Sequence, residues 1–264
     1  MPLPPVIFED DALLVLDKPA GLPVVAEPGA RGGETLLAQV REARGEAVTN
    51  AHRPDAESSG LVVFAKTKPA LDFTSGQFQA KTAAAVWHAL AVVQADGPES
   101  AHWPREAGRV PATFAMDWWI GRDAERPGVM RAFRRNGGQP AHTDFAVEED
   151  FGAVVLLTCR PQTGRRHQVR VHLAAAGLPV LNDPVYGDAA WTLRLSDFKR
   201  GYKGGHDEKP MVRQLALHAG ELTLRHPVTK ESLTLTAPLP AELTIALRNL
   251  VKFARPQRRS RSSS

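Results

Sequence analysis

The order of patterned segments predicts a mixed fold, a mainly antiparallel sheet with four helices against it. Two observations carry this. Short apolar runs follow one another with brief turns between them, which favours antiparallel pairing over parallel strands joined by crossover helices. Four longer stretches, 34–44, 68–81, 167–176 and 243–253, read as helices instead. The chain has 264 residues, 43% of them hydrophobic, enough core for one large domain or two small ones.

Val6 to Glu9 and Leu13 to Asp17 read as two strands broken at Asp10-Asp11, and Lys18-Pro19-Ala20-Gly21 forces a turn. Glu34 to Arg44 places Leu36, Leu37 and Val40 on one side of a helix that Gly45 ends. Ala51-His52-Arg53-Pro54-Asp55-Ala56-Glu57-Ser58-Ser59-Gly60 is a dense polar loop, and Leu61 to Ala65 after it reads as a buried strand. His52, Arg53 and Asp55 therefore sit on a loop fixed by a rigid strand, a frequent position for catalytic groups. A carboxylate beside a guanidinium stays ionised, and such a group serves as nucleophile or base. Lys68 to Lys81 is a second helix with Leu71, Phe73 and Phe78 on its apolar side. Ala83 to Val93 is a long buried strand, and Gln94 to Gly108 a loop.

Met116 to Ile120, Val129 to Phe133, Thr143 to Val147 and Val154 to Thr158 are the next strands. Arg131, Arg134 and Arg135 lie on a hairpin among them, a basic patch suited to a phosphate backbone or to solvent. A strand then ends at Arg160, Thr163-Gly164 turns the chain, and His167 to Ala176 forms a helix stopped by Gly177. This stretch brings Arg165 and Arg166 to a sheet edge, while His167, Arg170 and His172 read first as buried polar groups bracing the sheet. Leu222 to Pro227 and Leu233 to Pro240 are two further apolar stretches, and Leu243 to Phe253 reads as a last helix.

Five of these segments, in order, resemble the RluA-type pseudouridine synthases. They are Val6 to Val24, His52 to Gly60, the strand around Trp87, the run Arg160 to Ala174, and Pro179 to Gly187 with the hairpin beyond. The family's His-Arg-Leu-Asp…Thr-Ser-Gly motif is met with Pro54 in place of Leu and Ser58 in place of Thr. Its Lys-x-Tyr-x-Ala-Leu-Val strand is met with Trp87 in the tyrosine position. In the family that ring packs on the target uracil and its hydroxyl is a proposed proton acceptor; an indole can stack but only donates. In Thr-Gly-Arg-Thr-His-Gln-Ile-Arg-Val-His, Arg166 replaces the second Thr, and Asn182 replaces a Gly in the turn that follows.

The resemblance implies an α+β fold, a bent, mainly antiparallel sheet flanked by helices with a central cleft, over residues 1–254 and without a separate S4-type domain ahead of Val6. It implies isomerisation of uridine to pseudouridine in ribosomal or transfer RNA, with Asp55 as the catalytic carboxylate and Arg165 as the guanidinium that pairs with it. Arg53 would hold the flipped-out nucleotide, Trp87 would stack on the uracil, and His52 and Arg166 would line the substrate site. No metal, nucleotide or redox cofactor is expected, and the expected protein is a monomer.

Composition agrees with an anionic partner and a cytoplasmic location. The net charge is +4, and part of the excess lies in a basic Arg/Ser-rich tail, 255–264, expected to be disordered. The one cysteine, Cys159, reads as a small core residue. No apolar run reaches the roughly 18 residues of a membrane helix, and Met1 to Pro5 lacks a secretion signal. Two rivals remain open. A non-catalytic RNA-binding protein on the same scaffold is favoured by Pro54 and Trp87. A glycoside hydrolase would need a second carboxylate, for which Glu57 is the near candidate.

Overall fold

The computed structural model describes residues 2–26, 33–94, 110–188, 191–202, 204–205 and 207–254. The 255–264 tail and almost all of the 94–108 loop lie outside them. Strands β1 (Val6–Glu9), β2 (Leu13–Lys18), β3 (Thr49–Asn50) and β4 (Ser59–Ala65), with helices α1 (Leu36–Arg44) and α2 (Lys68–Ala80), build one half of the molecule. Strands β5 (Ala84–Val92), β6 (Thr113–Met116), β10 (Thr143–Asp150) and β11 (Val154–Pro161), with α3 (Gln168–Ala175) and α4 (Ala241–Phe253), build the other. The hairpin β12 (Leu217–Arg225) and β13 (Ser232–Thr236) closes the chain's sheet. A separate three-stranded sheet holds β7 (Trp119–Arg122), β8 (Met130–Phe133) and β9 (Gln139–Pro140).

The main sheet runs β1-β2-β4-β12-β5-β11-β10-β6. Its pairings are antiparallel except at the seam, where β12 lies parallel to β4 through His218↔Ser59 and Ala219↔Gly60. A strand from late in the chain thus joins the two halves. Across that seam Gly60, Ala219 and Trp87 form one row, since Ala219 also pairs with Trp87. Gly60 has φ +107, and a Cβ there would lie 2.3 Å from the Ala219 carbonyl oxygen. Only glycine permits both that backbone and that approach.

Why β2 and β4 are continuous apolar runs follows from the layers. Leu13, Val15, Leu61, Val63 and Ala65 pack with Ala70 of α2, whereas Leu14, Leu16, Val62 and Phe64 pack with Leu36 and Val40 of α1. Alternate side chains of a strand point to opposite faces, so covering both faces makes Leu13 to Leu16 and Leu61 to Ala65 continuous apolar runs, with the polar Asp17, Lys18 and Ser59 at the strand ends. Thr35 and Thr67 cap the two helices, accepting the amides of Ala38 and Ala70. In the other half, Val169 and Leu173 of α3 and Leu243, Ala246 and Leu250 of α4 join one large core with β5, β10 and β11. Cys159 is fully buried there, and burial raises its thiol pKa.

Three element expectations differ from the structure. Strand β5 is buried only at Ala89, Leu90 and Ala91, because Ala84 to Trp87 border the open cleft. The run Met116 to Ile120 is not one strand: β6 ends at Met116 in the main sheet and β7 starts at Trp119 in the small one. Phe73 does not join the core that Leu71 and Phe78 meet. The inward side of α2 is Ala70, Thr74 and Gln77, and Phe73 lies under the Lys230 ammonium, 3.5 Å from its ring centroid.

Candidate active site

The polar loop between β3 and β4 is tied down from below by Lys18. This fully buried lysine donates from Nζ to the carbonyls of Pro19 (2.9 Å), Ala56 (2.9 Å) and Ser58 (2.5 Å). Burial lowers its pKa to about 8, against the opposing pull of Glu57 and Asp55. The Ala56 carbonyl also accepts the Gly21 amide at 2.8 Å, and the Asp55 carbonyl accepts the Ser58 hydroxyl at 2.9 Å. The Ser at 58 thus acts through its hydroxyl, folding the loop so that the Asp55 side chain faces a cleft of about 1220 Å³. That volume exceeds the ordinary range of small-ligand pockets.

All six residues marked out by the sequence, His52, Arg53, Asp55, Trp87, Arg165 and Arg166, line this one cleft. Their pairing differs from expectation in one respect. The guanidinium at Asp55 is that of Arg170, with Nη1 3.4 Å from Asp55 Oδ2 and 3.3 Å from Glu57 Oε2. Arg165 does not hold Asp55. Its Nε donates to the Pro140 carbonyl at 3.0 Å and its Nη1 to Gln139 Oε1 at 2.6 Å, which pins β9 to the cleft rim. The physical reason is placement: Arg165 precedes α3 on an open turn, whereas Arg170 lies inside the helix and is wholly buried.

Arg170 is braced from behind. Its Nε and Nη2 donate to Asp183 Oδ2 and Oδ1 at 2.7 and 2.8 Å, a bidentate pair with no exposure on either side. Burial disfavours its charge, but Asp183, then Asp55 and Glu57, outweigh that and raise its pKa. Asp183 Oδ1 is fixed in turn by the amides of Val185 and Tyr186 at 2.9 and 3.1 Å. Asn182 beside it has φ 60, the left-handed backbone its side chain tolerates.

His52 lies at the cleft wall. It stacks on Phe78 at 4.3 Å, its Nε2 accepts the Val63 amide at 3.1 Å, and burial pushes its pKa down to about 4. His172 braces the sheet as expected, its Nδ1 2.9 Å from the Thr143 hydroxyl. His167 does not: it has φ 55 at the start of α3, and its ring lies in the cleft, Nε2 3.9 Å from Asp55 Oδ1. Arg166 is exposed beside it. Residues missed from the sequence are thus Arg170 as the partner of Asp55, His167 as a cleft residue, Lys18 and Asp183. A helical spacing of three puts Arg170 on the side of His167, and that spacing was the available signal.

Such a site presents an oriented carboxylate, a guanidinium fixed behind it and a half-buried indole inside an open groove. A family model described as RNA pseudouridylate synthase matches residues 12–175. The chain is 33% identical over 251 residues to the ribosomal large subunit pseudouridine synthase D of Neisseria meningitidis, covering 90% of this chain and 59% of that one. It is 32% identical over 247 residues to the ribosomal large subunit pseudouridine synthase C of Escherichia coli K12, covering 93% and 69%. The chain therefore spans about three-fifths to two-thirds of the length of these relatives. Among solved structures, human RNA pseudouridylate synthase domain containing 4 superposes with a TM-score of 0.64 at 23% identity, over 93% of this chain and 92% of that chain.

Proposed function

Because this chain belongs to the RNA pseudouridylate synthase family, we propose that it isomerises uridine to pseudouridine in ribosomal RNA, with Asp55 as the catalytic carboxylate. The observation that carries the reading is the Asp55 carboxylate held by Arg170 on the floor of a groove wide enough for an everted nucleotide. The choice of RNA follows the names of the relatives, which are synthases of the large ribosomal subunit. Residues 1–254 act as one catalytic unit in this reading, since β12 completes the sheet between β4 and β5. Its compartment is the cytoplasm, the site of ribosomal RNA maturation in bacteria.

A uridine enters such a groove only out of its stack, at a cost of a few kcal/mol that is least in a loop. Trp87 lies on the strand beside the seam and offers a stacking face for the extruded uracil. Arg53, exposed at the loop's outer edge, helps hold the flipped-out nucleotide, and Arg165 and Arg166 meet phosphates at the far rim. Asp55 opens the glycosidic bond, the freed uracil turns, and C5 joins the ribose. Arg170 is a positioning residue, keeping the carboxylate aimed while Asp183 keeps Arg170 aimed.

Mapping pseudouridine across the RNA of a strain lacking the gene tests the activity. Adding the wild-type chain should restore a modified uridine in the large-subunit RNA. Asp55→Asn should lower that conversion by about 10³-fold or more while RNA binding persists. A map that stays silent with the wild-type chain, together with tight RNA binding, would instead support the non-catalytic RNA binder.

A further inference from the structure

One proton of this reaction has no assigned carrier. When C5 replaces N1 on the ribose, C5 must lose its hydrogen and N1 must gain one. The family resemblance gives the acceptor role to a tyrosine hydroxyl, and here that position is Trp87, whose N–H only donates. Asp55 is engaged with the sugar, the Glu57 carboxylate lies on the Arg170 guanidinium at 3.3 Å, and His52 Nε2 already accepts the Val63 amide. His167 is placed differently. Its side chain is 11% exposed and lies in the cleft, with Nε2 toward Asp55. Its Nδ1 is 2.8 Å from the Tyr186 hydroxyl oxygen, which also accepts the Met130 amide at 2.9 Å. Arg166 Nε approaches Nε2 at 3.4 Å as a donor, a long contact from an exposed side chain that has to swing aside before Nε2 takes a proton, unlike the fixed Val63 amide on His52. The Arg166 contact assigns Nε2 as the ring's acceptor and Nδ1 as the bearer of its hydrogen, donated to Tyr186.

We propose that His167 is the base that takes the C5 proton, through Nε2, in the pseudouridine synthase reaction read above. The C5–C1′ bond has formed when this step begins, and the uracil ring carries a C6=N1 double bond. The C5–H bond breaks and its proton goes to Nε2. Its electron pair restores C5=C6, and the C6=N1 pair moves onto N1, which takes a proton back from the imidazolium. One proton has moved from C5 to N1, and the enzyme is unchanged. Electrostatics suit the role. Burial, with Arg170 and Arg166, lowers the His167 pKa, against Asp55 and Glu57, which raise it, so the lone pair is available at neutral pH. Tyr186 and the left-handed backbone at φ 55 fix the ring, whose plane lies 76° from that of Tyr186.

The inference rests on the proposed function, and the test separates the two. Total RNA is taken from the deletion strain fed uracil with hydrogen, deuterium or fluorine at C5. It is incubated with the purified full chain and with His167→Asn, a side chain that tolerates left-handed backbone. A fluorinated uracil can be rejoined through C5 but has no proton to give up there. The variant should convert the ordinary uridine about 10²-fold or more slowly, the contribution of a positioned base. It should show a deuterium isotope effect that the wild type lacks, and should rearrange the fluorinated nucleotide to its C-glycoside at the wild-type rate. Conversion within about threefold of wild type would overturn the assignment, far short of the loss of a positioned base. So would an equal slowing on the fluorinated RNA, since His167 would then serve only to support Asp55. A wild-type chain silent on all three RNAs would remove the proposed function itself.

Discussion

Arg170 uses both edges of one guanidinium: one edge closes a bidentate pair with Asp183, and Nη1 on the other reaches Asp55 and Glu57. A buried ion pair of this kind adds little net stability when complete, but removing one partner strands the other charge. Arg170→Met should therefore lower unfolding free energy by about 3–5 kcal/mol and abolish conversion, as Asp183 is left unpaired and Asp55 unheld. Arg165→Ala should stay within about 1 kcal/mol of wild type, the range of an exposed polar contact, and raise KM for RNA more than it lowers kcat. Denaturant titration and steady-state rates on both variants check this; the reverse pattern would return the carboxylate's partner to Arg165. Trp87→Tyr should remain active, because either ring offers a stacking face, and loss of turnover would show a site shaped around indole.

At the scale of elements, the small sheet of β7, β8 and β9 is set off from the main one and reaches the cleft through Arg165, which bonds both residues of β9. Its surface carries Arg131 and Arg135, both exposed, with Arg131 5.8 Å over the Phe133 ring. If this arm lies along the RNA backbone, each of the two arginines releases counterions on binding. Arg131→Ala with Arg135→Ala should then reduce the slope of log affinity against log salt by about 1.5. Fluorescence anisotropy over a salt series measures it, and an unchanged slope would mean that both arginines are merely solvated. The arm was only partly readable beforehand. Alternation in Met116 to Ile120 gives a strand but no sign that the chain changes sheets at Asp117-Trp118, because that depends on partners distant in sequence. The helices are written more locally: Gly45 marks the end of α1, while Thr35 and Thr67 prove to be N-caps, so α1 starts two residues after the Glu34 read from the pattern.

For the molecule as a whole, three of the described imidazoles are desolvated by packing, His172 and His218 in the interior and His52 at the cleft wall against Phe78. His52, His172 and His218 each have their pKa pushed down to about 4 by burial, and in the unfolded chain each returns to about 6.5. Between these values the unfolded state binds more protons than the folded one, so stability is full above about pH 6.5 and is lost as pH falls toward 4. Each group contributes on the order of 3 kcal/mol at most. Below that window Glu9 adds a further loss, since Arg44 and Lys66 hold its pKa at about 2. Urea unfolding at pH 7, 6, 5 and 4 should show a steady fall in free energy, less steep in His218→Asn. A flat profile would mean that these rings titrate freely in the folded protein.

By itself the sequence determined the buried run of β4, the mainly antiparallel order, the existence of the four helices and the polar loop bearing Asp55, because periodicity and turn residues act over a few positions. It also marked out six residues that share one cleft. The tertiary structure alone decided which arginine meets Asp55, that His167 lies beside Asp55 in the cleft while His172 turns inward, and that β12 enters between β4 and β5. Those outcomes hang on groups brought together from more than a hundred positions apart, as Asp55 and Arg170 are. A one-dimensional pattern names the side chains near a turn, but which of several like charges reaches the carboxylate is settled by helix rotation and burial.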